Sequence, residues 1–505
     1  MHAVTSAATV ASRRLAEARN TARRFLPFNR GEDEERVHFA HHDRTEMEVF
    51  NEDGKGKDAE DISEAEKGLE MNGGIPNDQK PPPKVESSNE PIAKRSISSW
   101  DAGWNVTNAI QGMFIVAFPY SVLHGGYWAI VVLLGIAYIC CWTGKILVYC
   151  LYEEDEQTGE KVRVRNTYVD IAEAVWGKQK GAQVVHAAQF VELIMTCILY
   201  LVLCGDLLKN SFKYSGVPES AWTIIACFFL IPCAFLRNLK SVSRLSMGCT
   251  VAHIFINIII IGYCLTRIKH WHWSEVRILV DIKLFPVVLG IVVFSYTSQI
   301  FLPSLEGNMH DKENFNKMMH WTHGLAGIFK SLFGYVGFLT WGAATKEVIT
   351  DNLPGDVFRA IVNIFLVVKA LLSYPLPYYA AVELIERSFF QGRPETYFPS
   401  CYALDGAIKV WGVFLRSLLV VLTLLLAIYI PHFAILMGLI GSFTGTMLSF
   451  IWPCWFHLKL KWNQMPLYQK FFDFVIILTG LICGTIGIIY SGEALVDAYK
   501  VPLDD

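Results

Sequence analysis

Four ionisable side chains lie deep inside apolar stretches of the sequence. Glu192 lies within HAAQFVELIMTCILY, Lys330 within GLAGIFKSLFGYV and Lys369 within IFLVVKALLSYPLP, and His253 lies in a further apolar stretch. A charge in hydrocarbon costs at least about 2.5–3.5 kcal/mol, so each residue should face a partner or a cavity. They are therefore candidates for proton transfer. The alternatives are a structural role for each lysine, tethered to a carbonyl or carboxylate, and a satisfied core role for His253.

Two apolar stretches are interrupted by polar residues and prolines. The first carries Asn108 and Gly112 just before MFIVAFPY, which contains Pro119, and the other contains FSYTSQIFLP at residues 294–303. A helix that breaks at mid-membrane presents free N–H groups to an anion and free carbonyls to a cation. The pattern therefore predicts a solute site. The alternative is that these uncharged polar side chains only hold neighbouring helices together.

The elements that must position these residues are membrane-spanning helices. The chain has 505 residues, of which 52% are hydrophobic and 18% charged, fewer charges than soluble domains carry. Apolar runs of roughly 17–25 residues match the length that crosses about 30 Å of hydrocarbon as a helix. Eleven spans are predicted at 103–123, 127–151, 184–204, 221–236, 245–265, 284–302, 321–341, 360–382, 413–430, 433–456 and 472–490. The interrupted runs are the first and the sixth, which is where two inverted five-helix repeats place their broken helices.

The ends of the chain differ from this transmembrane domain, predicted at 99–492. Residues 1–98 are rich in charge, Pro and Ser, which predicts a disordered tail. Its Arg- and Ala-rich start resembles a surface-seeking amphipathic helix or, alternatively, a mitochondrial transit peptide. Lys and Arg near the span ends favour a cytoplasmic N-terminus by about two to one, so eleven crossings place the short tail 493–505 on the other, lumenal side.

Several function classes find little support. The net charge of −3 gives no reason to expect a nucleic-acid partner. Enzyme signatures such as GxSxG, HExxH, a P-loop or a dinucleotide fingerprint are missing, so we expect neither catalysis nor a cofactor. Most of the 12 cysteines lie in apolar runs, and no CxxC pair or Cys/His cluster suggests a metal. A ligand-gated channel and a membrane receptor or scaffold stay open as alternatives to a carrier.

Five stretches of the sequence resemble the amino acid/auxin permease family of secondary transporters, in particular its branch of vesicular carriers. They are WDAGWNVTNAIQGMFIVAFPYSVLHGG, VELIMTCILY, IVVFSYTSQIFLPSLEGNM, TKEVITDNLPG and VNIFLVVKALLSYPLP. The resemblance runs from about residue 99 to the C-terminus. It implies an all-α membrane protein with a LeuT-like inverted repeat of five plus five helices and one extra helix, in agreement with eleven spans.

The resemblance also implies an activity and partners. Cytosolic GABA or glycine would enter synaptic vesicles in exchange for lumenal protons, and chloride coupling stays open. The acidic motif DEERVHFAHHD in the tail suggests sorting adaptors. The alternative is a proton-coupled amino-acid symporter of the lysosome or plasma membrane.

The resemblance and the two breaks together define the candidate site. A zwitterion needs separated poles, so N–H groups near Gly112 would take its carboxylate, and Ser295 to Thr297, with Glu192, its ammonium. Lys369 would stand where related carriers bind sodium. The predicted substrate-binding residues are Asn108, Gly112, Met113, Phe114, Glu192, Ser295, Tyr296, Thr297 and Gln299. The predicted proton-coupling residues are Glu192, His253, Lys330 and Lys369.

Overall fold

The structure is a computed structural model that describes residues 97–500, apart from 156, 158, 233–239, 280, 282, 391–400 and 402–407. Nearly all of the predicted tail at 1–98, with its sorting motif, and residues 501–505 lie outside this range. The described chain is helical except for one antiparallel hairpin, in which β1 (Tyr152–Glu154) pairs with β2 (Lys161–Arg163).

The first half of the transmembrane domain contains α1 (Ser99–Ile110), α2 (Phe118–Gly125), α3 (Trp128–Tyr149), α4 (Tyr168–Trp176), α5 (Lys178–Ser211), α6 (Glu219–Phe228) and α7 (Lys240–Thr266). The second half contains α8 (Phe285–Tyr296), α9 (Leu302–Gly307), α10 (Phe315–Trp341), α11 (Asp356–Ser373), α12 (Pro375–Phe389), α13 (Val410–Tyr429), α14 (Phe433–Ile440), α15 (Trp452–Lys461) and α16 (Leu467–Lys500). Short 3₁₀ turns lie at Met113–Ala117, Lys213–Ser215, Ile268–His270, Trp273–Glu275, Lys312–Asn314, Gly342–Ala344, Ile349–Asn352 and Trp462–Gln464.

These helices correspond to the eleven predicted spans. Among the described residues, six helical segments are long and apolar enough to cross a bilayer. The pair α1 and α2, with the turn between them, forms one more crossing, the bent first span. Shorter apolar helices in α6, α7 and α8 belong to the fourth, fifth and sixth spans, and the 27-residue α10 is the seventh. Several helices extend past the predicted apolar limits; α16, for example, continues through Lys500, into the predicted C-terminal tail.

The break in the first span has a local cause. The helix starts at a capping box, in which Ser98 Oγ accepts from the Asp101 N–H at 3.1 Å. It ends at Ile110, and the chain resumes as a 3₁₀ turn after Gly112, with a bend of 42°. Pro119, in the first turn of α2, lacks an N–H and its ring would clash with a helical carbonyl four residues earlier, so the turn before it is not regular α-helix. The predicted break is confirmed.

The sixth span is also broken, and a proline again lies in the first turn of the helix that follows the break. Helix α8 ends at Tyr296, and Thr297 takes an extended conformation. The chain becomes helical again at Leu302, with Pro303 in the first turn of α9. Successive spans alternate in direction, so α1 and α9 lie on one side of the bundle and α2 and α8 on the other. We call these the Ile97 side and the Gly125 side.

The tenth span packs unusually closely against the sixth. Its middle consists of two π-helical turns, Gly441–Gly445 and Met447–Ile451. A Cβ atom on Gly290 would lie 2.0 Å from the Gly438 carbonyl oxygen, and one on Gly441 would lie 1.9 Å from the Gly290 oxygen. Glycine is therefore required where the two backbones meet.

We expect Gly290→Ala to destabilise the protein. The methyl group would force the two spans apart, and overpacking of this kind costs about 1–3 kcal/mol or more. The melting temperature of the detergent-purified protein should fall by several degrees. Gly135→Ala is the matched control, because a Cβ atom there has no neighbour within 4 Å. Equal melting temperatures for the two variants would contradict the close approach.

Candidate functional site

The Lys330 ammonium lies in the break of the sixth span. Its Nζ donates to the Ser295 carbonyl at 2.7 Å and to Ser295 Oγ at 3.1 Å. It also lies 3.5 Å from the centre of the Tyr296 ring, a cation–π contact. The structure thus joins three of the predicted residues. The Ser295 carbonyl, which sequence reasoning assigned to a substrate ammonium, accepts from an ammonium of the chain itself.

Gln299 holds the same break against two other spans. Its Nε2 donates to Thr143 Oγ1 at 3.1 Å and to the Cys140 carbonyl at 3.4 Å, both in α3. Its Oε1 accepts from Ser449 Oγ at 2.8 Å and from the Ser298 N–H at 2.9 Å. Both ends of this fully buried amide are engaged by the protein, so a substrate contact would have to displace one of these bonds.

Four aromatic rings meet beside the first break. The Phe114 ring centre lies 5.3 Å from that of Tyr200 in α5, 5.1 Å from Phe294 in α8 and 6.0 Å from Phe433 in α14. The rings come from the first, third, sixth and tenth spans. Because the N-cap residue Gly112 has no side chain to cap the turn Met113–Ala117, only backbone groups form this end of the turn. The predicted residues Met113 and Phe114 are both buried here.

Glu192 is buried in the third span, against the π-helical segment of the tenth. Its Oε2 accepts from Thr444 Oγ1. Among the residues that the structure describes, no basic side chain forms an ion pair with it. Glu192 lies eight residues before Tyr200, about 12 Å along the helix axis on the Ile97 side of the aromatic rings. Sequence reasoning missed Thr444, although its GSFTGT motif is unusually polar for an apolar span.

His253 and Lys369 form a second polar group, near the first break. His253 in α7 is buried, with Nε2 3.1 Å from Asn257 Nδ2. The imidazole lies beside the Gly112 backbone and within electrostatic range of Lys369, which is buried in α11. Each break of the inverted repeat is thus accompanied by one buried lysine.

Two further predicted residues lie in the broken spans. Asn108 is half-buried in α1. Thr297 bonds within its own helix, Oγ1 to the Val293 carbonyl at 3.2 Å. Their role in substrate binding stays a prediction.

A polar network that sequence reasoning missed joins the hairpin to the sixth span on the Ile97 side. Arg163 forms an ion pair with Glu306 at 2.8 Å and donates to the Pro303 carbonyl at 2.8 Å. Tyr152 also donates to Glu306, and Lys461 Nζ donates to the Tyr152 carbonyl at 2.6 Å. These bonds fix the end of α9. The sequence signal was Glu306 itself, a charge next to a span end.

The sequence of this chain is similar to those of known membrane transporters. Residues 95–492 match the family described as transmembrane amino acid transporter protein. A vesicular inhibitory amino acid transporter of Xenopus tropicalis is 49% identical over 492 residues, covering 95% of this chain and 94% of the relative. A vesicular GABA transporter of Caenorhabditis elegans is 46% identical over 406 residues, covering 80% and 82%.

The likeness extends to a solved structure, MhsT in complex with L-phenylalanine. It has a TM-score of 0.50 at 13% identity and covers 79% of this chain and 99% of MhsT. At this identity the match concerns the fold alone. With the family match extending over most of its length, the chain belongs to the transmembrane amino acid transporter family.

Proposed function

We propose that this protein loads GABA and glycine into synaptic vesicles in exchange for lumenal protons. The Ile97 side would face the cytosol and the Gly125 side the lumen, which places the N-terminus in the cytosol. The names of the vesicular relatives support the substrate and the compartment. The observation that carries the proton coupling is the bond between Lys330 and Ser295.

A broken helix with free carbonyls is a place for a cation, and many carriers fill it with sodium. Here the lysine ammonium already donates to the carbonyl of Ser295. With the Lys330 amine already in the place of the sodium ion, coupling passes to another group that can gain and lose a proton. Glu192 is such a group, since it is buried and bonded to a neutral hydroxyl.

The poles of the substrate can then be assigned. The carboxylate would bind the N–H groups between Gly112 and Phe114, at the N-terminal end of the second half of the first span. The amine would approach Glu192, because Ser295 is already engaged. The aromatic rings around Phe114 would close the site from the Gly125 side. When substrate leaves toward the lumen, a lumenal proton would replace the amine on Glu192.

Reconstituted transport tests the proposal. Purified protein in liposomes with an acid interior should accumulate radiolabelled GABA. Uptake should saturate, compete with glycine and collapse with a protonophore. Uptake only with an acid exterior would indicate a symporter of the lysosome or plasma membrane instead. Conductance without saturable exchange would indicate a channel.

A further inference from the structure

Two carboxyl groups meet where the third span joins the connection between the seventh and eighth. Asp206 lies near the end of α5, and Asp351 lies in the turn Ile349–Asn352. The Asn210 amide bridges them, with Nδ2 donating to Asp206 Oδ1 at 2.9 Å and to Asp351 Oδ2 at 2.8 Å. By the alternation of the spans, this junction is on the Gly125 side.

The other oxygen of each carboxyl is buried without a donor. Asp206 Oδ2 and Asp351 Oδ1 accept no hydrogen bond from any described residue. The Asn210 amide holds the two carboxyl groups side by side, and each affects the proton affinity of the other. Ionised carboxylates have only acceptors, so two of them cannot bond without a proton between them. One shared proton would satisfy both oxygens at once.

The surrounding charges do not supply that missing donor. Arg359 on α11 donates to the carbonyls of Asn210 at 3.2 Å and Leu353 at 3.3 Å, and it pairs with Asp356. The other charged groups that act on the pair are Lys213 after α5, Glu219 on α6, and Lys346 and Glu347 after α10. Burial raises the pKa of Asp351 to about 6, against the lowering effect of Lys346.

We propose that Asp206 and Asp351 hold one shared proton and form a proton-binding site at the Gly125 end of the transport pathway. Its place in the vesicle lumen rests on the proposed function. Asp206 lies 14 residues beyond Glu192 on the same helix, about 21 Å along the axis. A lumenal proton would therefore bind here first, at the end of the helix that carries the central carboxyl.

The sign of the pH dependence follows from the shared proton. Below the raised pKa of Asp351 the pair holds its proton, and α5 is bonded to the turn before α11. As the pH rises through that pKa, two carboxylates replace the bonded pair and repel each other. The junction is stable at the acid pH of a vesicle and weaker in a neutral compartment.

Infrared spectroscopy of the full-length protein in lipid nanodiscs tests the site without transport. The wild type should show a protonated-carboxyl band that is lost on titration from acid to neutral pH. Asp351→Asn and Asp206→Asn should each remove that band, and either variant suffices if the other does not fold. Asp497→Asn is the control, because this side chain is 70% exposed and pairs with Lys500, away from Asp206 and Asp351 in the chain. A titrating band that survives in both Asn variants would overturn the proposal.

Transport measurements then test whether the shared proton takes part in the transport cycle. Asparagine preserves the size of the group and can donate the missing hydrogen bond, but it does not titrate. We expect Asp351→Asn liposomes to take up GABA with most of the dependence on interior pH lost, while Asp497→Asn keeps it. Full wild-type pH dependence in Asp351→Asn would remove the pair from the pathway. Failure of GABA uptake in the wild type would contradict the proposed function and leave the infrared result to decide the site.

Discussion

Glu192→Gln is expected to reduce proton-driven GABA uptake at least tenfold, a change of about 1.4 kcal/mol or more in the free energy of the limiting step. Glutamine keeps an oxygen that accepts from Thr444, so the contact between the third and tenth spans is retained. Glutamine carries no charge and does not take up a proton between acid and neutral pH. Net uptake into acid-loaded liposomes measures the effect, with the melting temperature recorded alongside.

Exchange separates a proton carrier from a binding residue. With saturating GABA on both sides and no pH gradient, labelled GABA should still exchange in Glu192→Gln, because exchange needs no net movement of protons. The half-saturating GABA concentration should rise, because the amine loses its charged partner. Thr444→Val removes only the hydroxyl partner and should reduce uptake less. Glu493→Gln, at an exposed position of α16, should have no effect. Normal net uptake by Glu192→Gln would exclude this carboxyl from the coupling.

The breaks in the spans were predictable because their causes are local. Gly112, Pro119 and Pro303 act through the backbone within one helical turn, so their effect can be seen in a short stretch of sequence. The eleven spans follow for a similar reason, since each must satisfy its own backbone in lipid. These two features fix the repeat and the centre of the site.

The partners of the site residues were not predictable from local sequence. Thr444 and Glu192 are 252 positions apart, and Asn210 and Asp351 are 141 apart. Such pairs depend on how spans pack, which hydropathy alone does not encode. Gln299 illustrates the same limit: a polar residue in a break indicates either a ligand or a tether, and only its four protein contacts distinguish the second role.

Lys330 could likewise have been a functional group or a structural tether, and its contacts with Ser295 lead to the second prediction with a large effect on transport. We expect Lys330→Met to abolish at least nine-tenths of uptake and to lower the melting temperature. Methionine fills similar space but leaves the carbonyl and hydroxyl of Ser295 without their donor, which costs about 1–3 kcal/mol when buried. It also removes the amine from the break. Lys317→Met is the matched control, an exposed lysine on the same helix.

Chemical rescue distinguishes a fixed cation from a structural tether. Lys330→Ala leaves a space beside Ser295 and the Tyr296 ring that a methylammonium ion can enter. If the charge in the break is what transport needs, added methylammonium should restore part of the uptake by Lys330→Ala and none by Lys330→Met, where the space is filled. If folded Lys330→Met transported GABA normally per molecule, the lysine would only stabilise the end of α8. Lys369, the buried lysine near the first break, would then be the next candidate for a functional amine beside the site.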